Sequence, residues 1–148
     1  MKKKFLIIFL FIVSCGYAPI NKLTNQNYSI IELNTNGNNQ INTIIKKNFS
    51  RYNKENLERQ FKLEVSSQLE KSTSSKTQSG DNSVLSIKIS INMKILENNK
   101  SPKELNYKEL SSYNSLDNKF ELKQYEKILI KSLTDKILSK IHFDLSNM

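Results

Sequence analysis

The chain has 148 residues, 37% hydrophobic and 25% charged, with 23 Lys and Arg against 14 Asp and Glu and a net charge of +9. That length supports one domain with one modest core, and a single cysteine excludes an intrachain disulfide framework. With only three glycines and one histidine, neither a phosphate-cradling loop nor a metal site can be read from it.

Lys2-Lys3-Lys4, the apolar run Phe5 to Val13 and the small Ser14 form a secretory signal, residues 1–14. Ile12-Val13-Ser14-Cys15 narrows it to the bacterial lipoprotein class, which needs an aliphatic residue three before the cysteine, a branched or small one next, then a small one. The thiol is what the chemistry consumes. A diacylglycerol joins it as a thioether, the chain is cut before Cys15, and the freed amine is acylated. One acyl chain holds only marginally at about 0.8 kcal/mol per buried CH₂, so two or three chains make a firm anchor. The apolar run would make roughly 14 Å of helix, about half of the ~30 Å hydrocarbon core, so it does not span a bilayer. Gly16 stands where an acidic residue commonly retains lipoproteins at the inner membrane, and it points to the outer membrane. Removing the signal leaves 134 residues at +6, a surplus that suits lipid phosphates or plain solubility. Export and the lack of an Arg-rich, aromatic-interleaved segment exclude nucleic acid.

Residues 15–27 read as a lipidated N-terminus and tether, and residues 28–148 as the single folded domain. Tyr28 to Leu33 is a first strand, and Asn34 to Asn39, around Gly37, a turn. Ile41, Ile44, Ile45, Phe49 and Tyr52 recur at helical intervals, capped by Asn38 or Asn39. Phe61, Leu63, Val65, Ser67 and Leu69 alternate with polar residues, as do Leu85, Ile87, Ile89, Ile91, Met93 and Ile95, so both segments are strands with one wet face. Glu70 to Ser83 lacks any apolar residue and reads as a long solvated hairpin end. Leu105, Tyr107 and Tyr113 suggest a fourth strand, blurred by Glu109 and Ser111 on the same face. Asp117-Asn118 caps a long last helix in which Tyr125, Leu129, Leu133, Ile137 and Ile141 stand four apart, flanked by Ile128 and Leu138. The order β-α-β-β-β-α predicts an α+β two-layer sandwich: a four-stranded mixed sheet with two helices on one face.

Catalytic chemistry is missing from this pattern. There is no G-x-S-x-G elbow, Glu55 and Glu58 lie among lysines on a solvated face, and His142 beside Phe143 reads as a surface or partly covered imidazole. The expectation is a non-catalytic protein with no metal and no cofactor other than the covalent lipid on Cys15.

The whole pattern resembles the LptE family, outer-membrane lipoproteins that assist lipopolysaccharide assembly. The resemblance rests on Cys15-Gly16-Tyr17, where that family has Cys-Gly and an aromatic, on the element order, and on Tyr113-Asn114-Ser115-Leu116-Asp117 leading into the last helix. It covers essentially all of the chain after the signal, and departs from the family in a very short signal and no long polar tail. The resemblance implies a plug within the lumen of an LptD-like outer-membrane β-barrel, on the periplasmic side of the outer membrane, that helps the barrel pass lipopolysaccharide to the outer leaflet. It also implies lipopolysaccharide contact through Lys71 and Lys76 in the polar hairpin and Lys119 at the start of the last helix, regions where the family carries basic residues. On the residues alone, each of these lysines is a solubilising charge. A different reading is a lipid-anchored periplasmic carrier that holds a small apolar ligand between sheet and helices.

Overall fold

The computed structural model describes residues 27–53, 57–76, 82–98 and 100–148. Its elements are β1 (Ser29–Gly37), α1 (Asn39–Phe49) running into a 3₁₀ turn (Ser50–Tyr52), β2 (Gln60–Lys76), β3 (Asn82–Glu97), β4 (Lys103–Asn114) and α2 (Lys119–Asn147). The strands lie in chain order in one sheet, β1 parallel to β2 and the other neighbours antiparallel. The α+β architecture expected from the alternation is therefore the one observed, both helices covering one face.

Period-two patterning decides which face that is. Phe61, Leu63 and Val65 stand opposite Glu97, Ile95 and Met93, and Ile91 and Met93 in turn oppose Tyr107 and Leu105. Apart from Glu97 and the partly buried Leu105, these side chains form the buried core together with Ile41, Ile45, Phe49, Ile137 and Ile141. The other face is wet and laced by the ion pairs Lys62–Glu32 at 3.2 Å, Lys88–Glu70 at 3.0 Å and Lys94–Glu64 at 3.7 Å. Exposed pairs of this kind contribute about 0 to 1 kcal/mol each. They keep the face soluble more than they hold it together.

β1 does not end where the Asn-rich sequence suggests a turn, but runs on to Gly37, and the reversal is compressed into Gly37 and Asn38. Gly37 has φ +99°, and a Cβ there would lie 2.0 Å from the Ser67 carbonyl oxygen, so only glycine fits. Asn38 then caps α1, its Oδ1 accepting from the N–H groups of Gln40 and Ile41 at 3.1 Å each.

Two further expectations change. The polar stretch after Glu70 is strand through Lys76, with Lys71 opposite Ile87 and Thr73 opposite Leu85. The apolar side chains at that end belong to β3, and β2 pairs through its backbone while presenting only polar residues. The last helix buries Ile130, Leu133, Thr134, Ile137, Leu138, Ile141 and Leu145, whereas Tyr125 is 45% and Ile128 67% exposed. A strict spacing of four advances by roughly 40° per step on a helix of 3.6 residues per turn. The row from Tyr125 to Ile141 therefore winds from the outer side of α2 to the core side. Glu109, the residue that blurred β4, does face the helices, and its carboxylate is held between Lys136 at 2.7 Å and Lys140 at 2.5 Å. Those cations keep its acid form well below the usual carboxylate range.

His142 is more enclosed than a surface imidazole. Tyr28 donates its hydroxyl to Nδ1 at 2.5 Å, Nε2–H donates to Asn48 Oδ1 at 2.6 Å, and the Tyr52 ring stacks on it at 4.4 Å. Burial pushes its pKa down from 6.5 to about 4. Between these values the unfolded chain binds a proton that the folded chain refuses, so stability falls as pH drops from 6.5 toward 4. Denaturant melts at pH 7 and pH 5 should show the loss in the native chain and a smaller one in His142→Gln. The carboxylates with lowered pKa, Glu32, Glu109 and Glu126, lose their contribution only below about 4.5 and do not confuse that comparison.

Candidate functional site

The strand directions gather the candidate lysines at one end of the domain. β2 finishes at Lys76 opposite Asn82, β3 leaves that end, and β4 returns to it with Asn114 opposite Val84. Five residues later α2 begins at Lys119. β2 and β4 are separated only by β3, about 10 Å at ordinary strand spacing.

The three lysines differ in what they can do there. Lys71 projects on the helix side and is ion-paired to Glu126 of α2, which also accepts from the Tyr113 hydroxyl at 2.6 Å. This network clamps the early turns of α2 to β2 and β4, and the two donors hold the Glu126 acid form low against the opposing effect of burial. Lys76 and Lys119 are exposed, and neither has a partner among the described residues. Lys119 opens a helix whose N-cap, Asn118, accepts from Phe120 N–H at 2.9 Å and Glu121 N–H at 3.4 Å. That end of the helix carries the positive pole of its dipole.

Exposed apolar side chains share this end, and of them the sequence reading left only Phe120 unremarked. Leu116, in the link before α2, and Phe120, in its first turn, are 40% and 68% exposed. Tyr125 lies against Tyr113 with ring centres 5.8 Å apart. Cations beside exposed apolar groups can meet both parts of an amphiphile, its phosphate and its acyl chains. Their signal was available in the sequence as Leu116 and Phe120 on either side of the cap, but nothing local distinguishes them from core residues.

The chain joins the domain at the opposite end. Asn27 Nδ2 donates to the Ser146 carbonyl at 3.2 Å, and Tyr28 is tied to His142, both on the last turns of α2. α2 has 29 residues, or about 43 Å of helix. The point where the tether enters and the end bearing Lys76 and Lys119 are thus separated by that length. Cys15, with the rest of the signal and tether through residue 26, lies outside the described residues. Among the described residues no helix is long and apolar enough to cross a membrane, and no three His, Cys, Asp or Glu side chains group as metal ligands.

No family model and no curated protein matches the sequence. Solved structures do share its fold. Rare lipoprotein B from Shewanella oneidensis superposes with a TM-score of 0.56 at 12% identity, over 78% of this chain and 97% of that one. A minor lipoprotein from Acinetobacter baumannii gives 0.60 at 13% identity over 83% and 92%. Lipoprotein B from Nitrosomonas europaea gives 0.50 at 16% identity over 80% and 84%. At these identities the likeness is one of fold, and the fold is one that bacterial lipoproteins use.

Proposed function

We propose that this chain is a lipid-anchored, non-catalytic protein of the outer membrane that sits in the lumen of an LptD-like β-barrel and contributes to placing lipopolysaccharide in the outer leaflet. The observation that carries the reading is the separation of its two ends. A bilayer with its headgroups is about 40 to 45 Å thick, close to the length of α2. An acyl anchor on Cys15 in the periplasmic leaflet, with the domain upright in a barrel, sets Lys76, Lys119, Leu116 and Phe120 at the depth of the opposite headgroups. The lumen of a large barrel is polar and wet, which suits a domain whose free sheet face is covered by ion pairs.

The carrier reading needs an empty apolar cavity between sheet and helices. Ile41, Ile45, Phe61, Leu63, Ile89, Ile91, Ile137 and Ile141 occupy that layer with no exposure. This favours a filled core that works through its outer surface.

The test reverses the two unpartnered lysines. Lys76→Glu with Lys119→Glu should weaken lipopolysaccharide binding on the order of tenfold, with a native affinity that falls as salt rises. Barrel association should be unchanged in the same preparation. Lys71 is left alone because its loss would also release Glu126. Unaltered lipopolysaccharide binding would remove these lysines from the site, and a lost barrel would move them to the plug interface.

A further inference from the structure

We infer that the free edge of β4 pairs with the β4 edge of a second copy of this chain, antiparallel and centred on Asn106. β4 is an outer strand, and its register with β3 runs without a shift from Asn114 to Lys103. The other outer strand, β1, is broken by an irregularity between Ile30 and Glu32. Outer strands are normally blunted by bulges, prolines or a cover, because an open ladder of N–H and C=O groups templates further pairing. From Lys103 to Asn114 β4 has no proline and no bulge. Its charges do the selecting instead.

Laid antiparallel on itself about Asn106, the segment Lys103-Glu104-Leu105-Asn106-Tyr107-Lys108-Glu109 sets every charge against its opposite. Glu104 meets Lys108 of the second copy twice, Lys103 meets Glu109 twice, and Leu105 meets Tyr107 twice. A slip of one residue either way sets Glu104 against Glu109 or Lys103 against Lys108. Opposite charges directly across a ladder stabilise it, and like charges disfavour it. Glu104 and Lys108 are exposed on the wet face and have no partner among the described residues. The nearby Lys94 is engaged by Glu64. Glu109 already holds Lys136 and Lys140, so the Glu104–Lys108 contacts are the ones that choose the register.

The centre also keeps the layers together. Residues directly opposed in a ladder lie on the same side of the sheet, and pairing about one residue opposes odd positions to odd and even to even. Both helix layers then stand on one side of an eight-stranded sheet. Tyr107 lines a groove with Lys136, Ser139, Lys140, Phe143 and Asp144, and its rim residue Phe143 is 68% exposed. Leu105 of the second copy, placed opposite Tyr107, comes to the edge of this groove. Asn106 lies toward the end of β4 where the tether joins the domain, so the two-fold axis points the two lysine ends in opposite directions, and the two β1 strands, through which the tethers enter, stand at the outer edges of the eight-stranded sheet. Such a pair is a form of the chain outside the barrel, and the proposal does not rest on the barrel reading.

The experiment uses the full chain purified in detergent micelles, followed by sedimentation. Asn106→Cys, at the axis, should form a disulfide-linked dimer under mild oxidation, while Ser112→Cys on the same face should not. Glu104→Lys alone, or Lys108→Glu alone, should weaken self-association on the order of tenfold. Mixing these two single variants sets lysine against glutamate at both contacts and should restore the dimer. All four side chains are exposed, so the fold is not at stake. A chain that stays monomeric, an Asn106→Cys variant that links no better than Ser112→Cys, or a mixture that fails to recover would overturn the pairing.

Discussion

Ile89→Ala should lower the unfolding free energy by about 2 to 5 kcal/mol, the range for a large buried aliphatic side chain truncated to a methyl. Ile89 is fully buried in the middle of β3, between Leu69 and Glu109 in the ladder and beneath the helices. The residues around it are held by strand pairing on both sides, so the site collapses poorly and much of the vacated volume remains as cavity. Ser90→Ala is the matched control. Ser90 is also covered, at 7% exposure, but it faces the helix-free side and loses only a hydroxyl, for which a cost below about 1 kcal/mol is expected. Denaturant melts of the two variants decide, and equal effects would mean that the faces of β3 are misassigned.

Cys15→Ser should move the protein from the membrane fraction to the soluble one and abolish incorporation of labelled fatty acid. The sulfur is the atom that forms the thioether, and a serine hydroxyl at that position gives the lipid transfer no comparable nucleophile. Losing two or three acyl chains removes an attachment that grows by about 0.8 kcal/mol for each buried CH₂. A serine variant that still carries label and still sediments with the outer membrane would refute the anchor.

Much of the fold was legible because a buried sheet face writes its period directly into the sequence. Phe61 to Leu69 and Leu85 to Ile95 alternate cleanly since one side of each strand lies under the helices. The same logic explains what was missed. Residues 71–76 carry no apolar signal, so their pairing with β3 could not be seen from side chains that contribute nothing to the core. In α2, spacing by four identified a helix but not its inner side, because the row rotates as it climbs. The candidate site was legible only as topology. The hairpin and the start of α2 share an end of the domain, as the strand order requires, yet the Lys71–Glu126 pair joins residues 55 positions apart and has no local signature. The contact of Tyr28 with His142 spans 114 positions and is likewise invisible in sequence. It matters most, because it locates the tether at the end opposite the lysines, the arrangement on which the proposed function depends.

That orientation stands or falls with the barrel. The lipidated full chain, carrying an affinity tag after Met148 and extracted from its own outer membranes in mild detergent, should bring down one large β-barrel in near-equal amount. Cross-linkers placed at Leu116 and Phe120 should reach the barrel's outward-facing loops. A chain that is recovered from those membranes without any barrel, or one whose Leu116 and Phe120 cross-link only to periplasmic partners, would contradict the account.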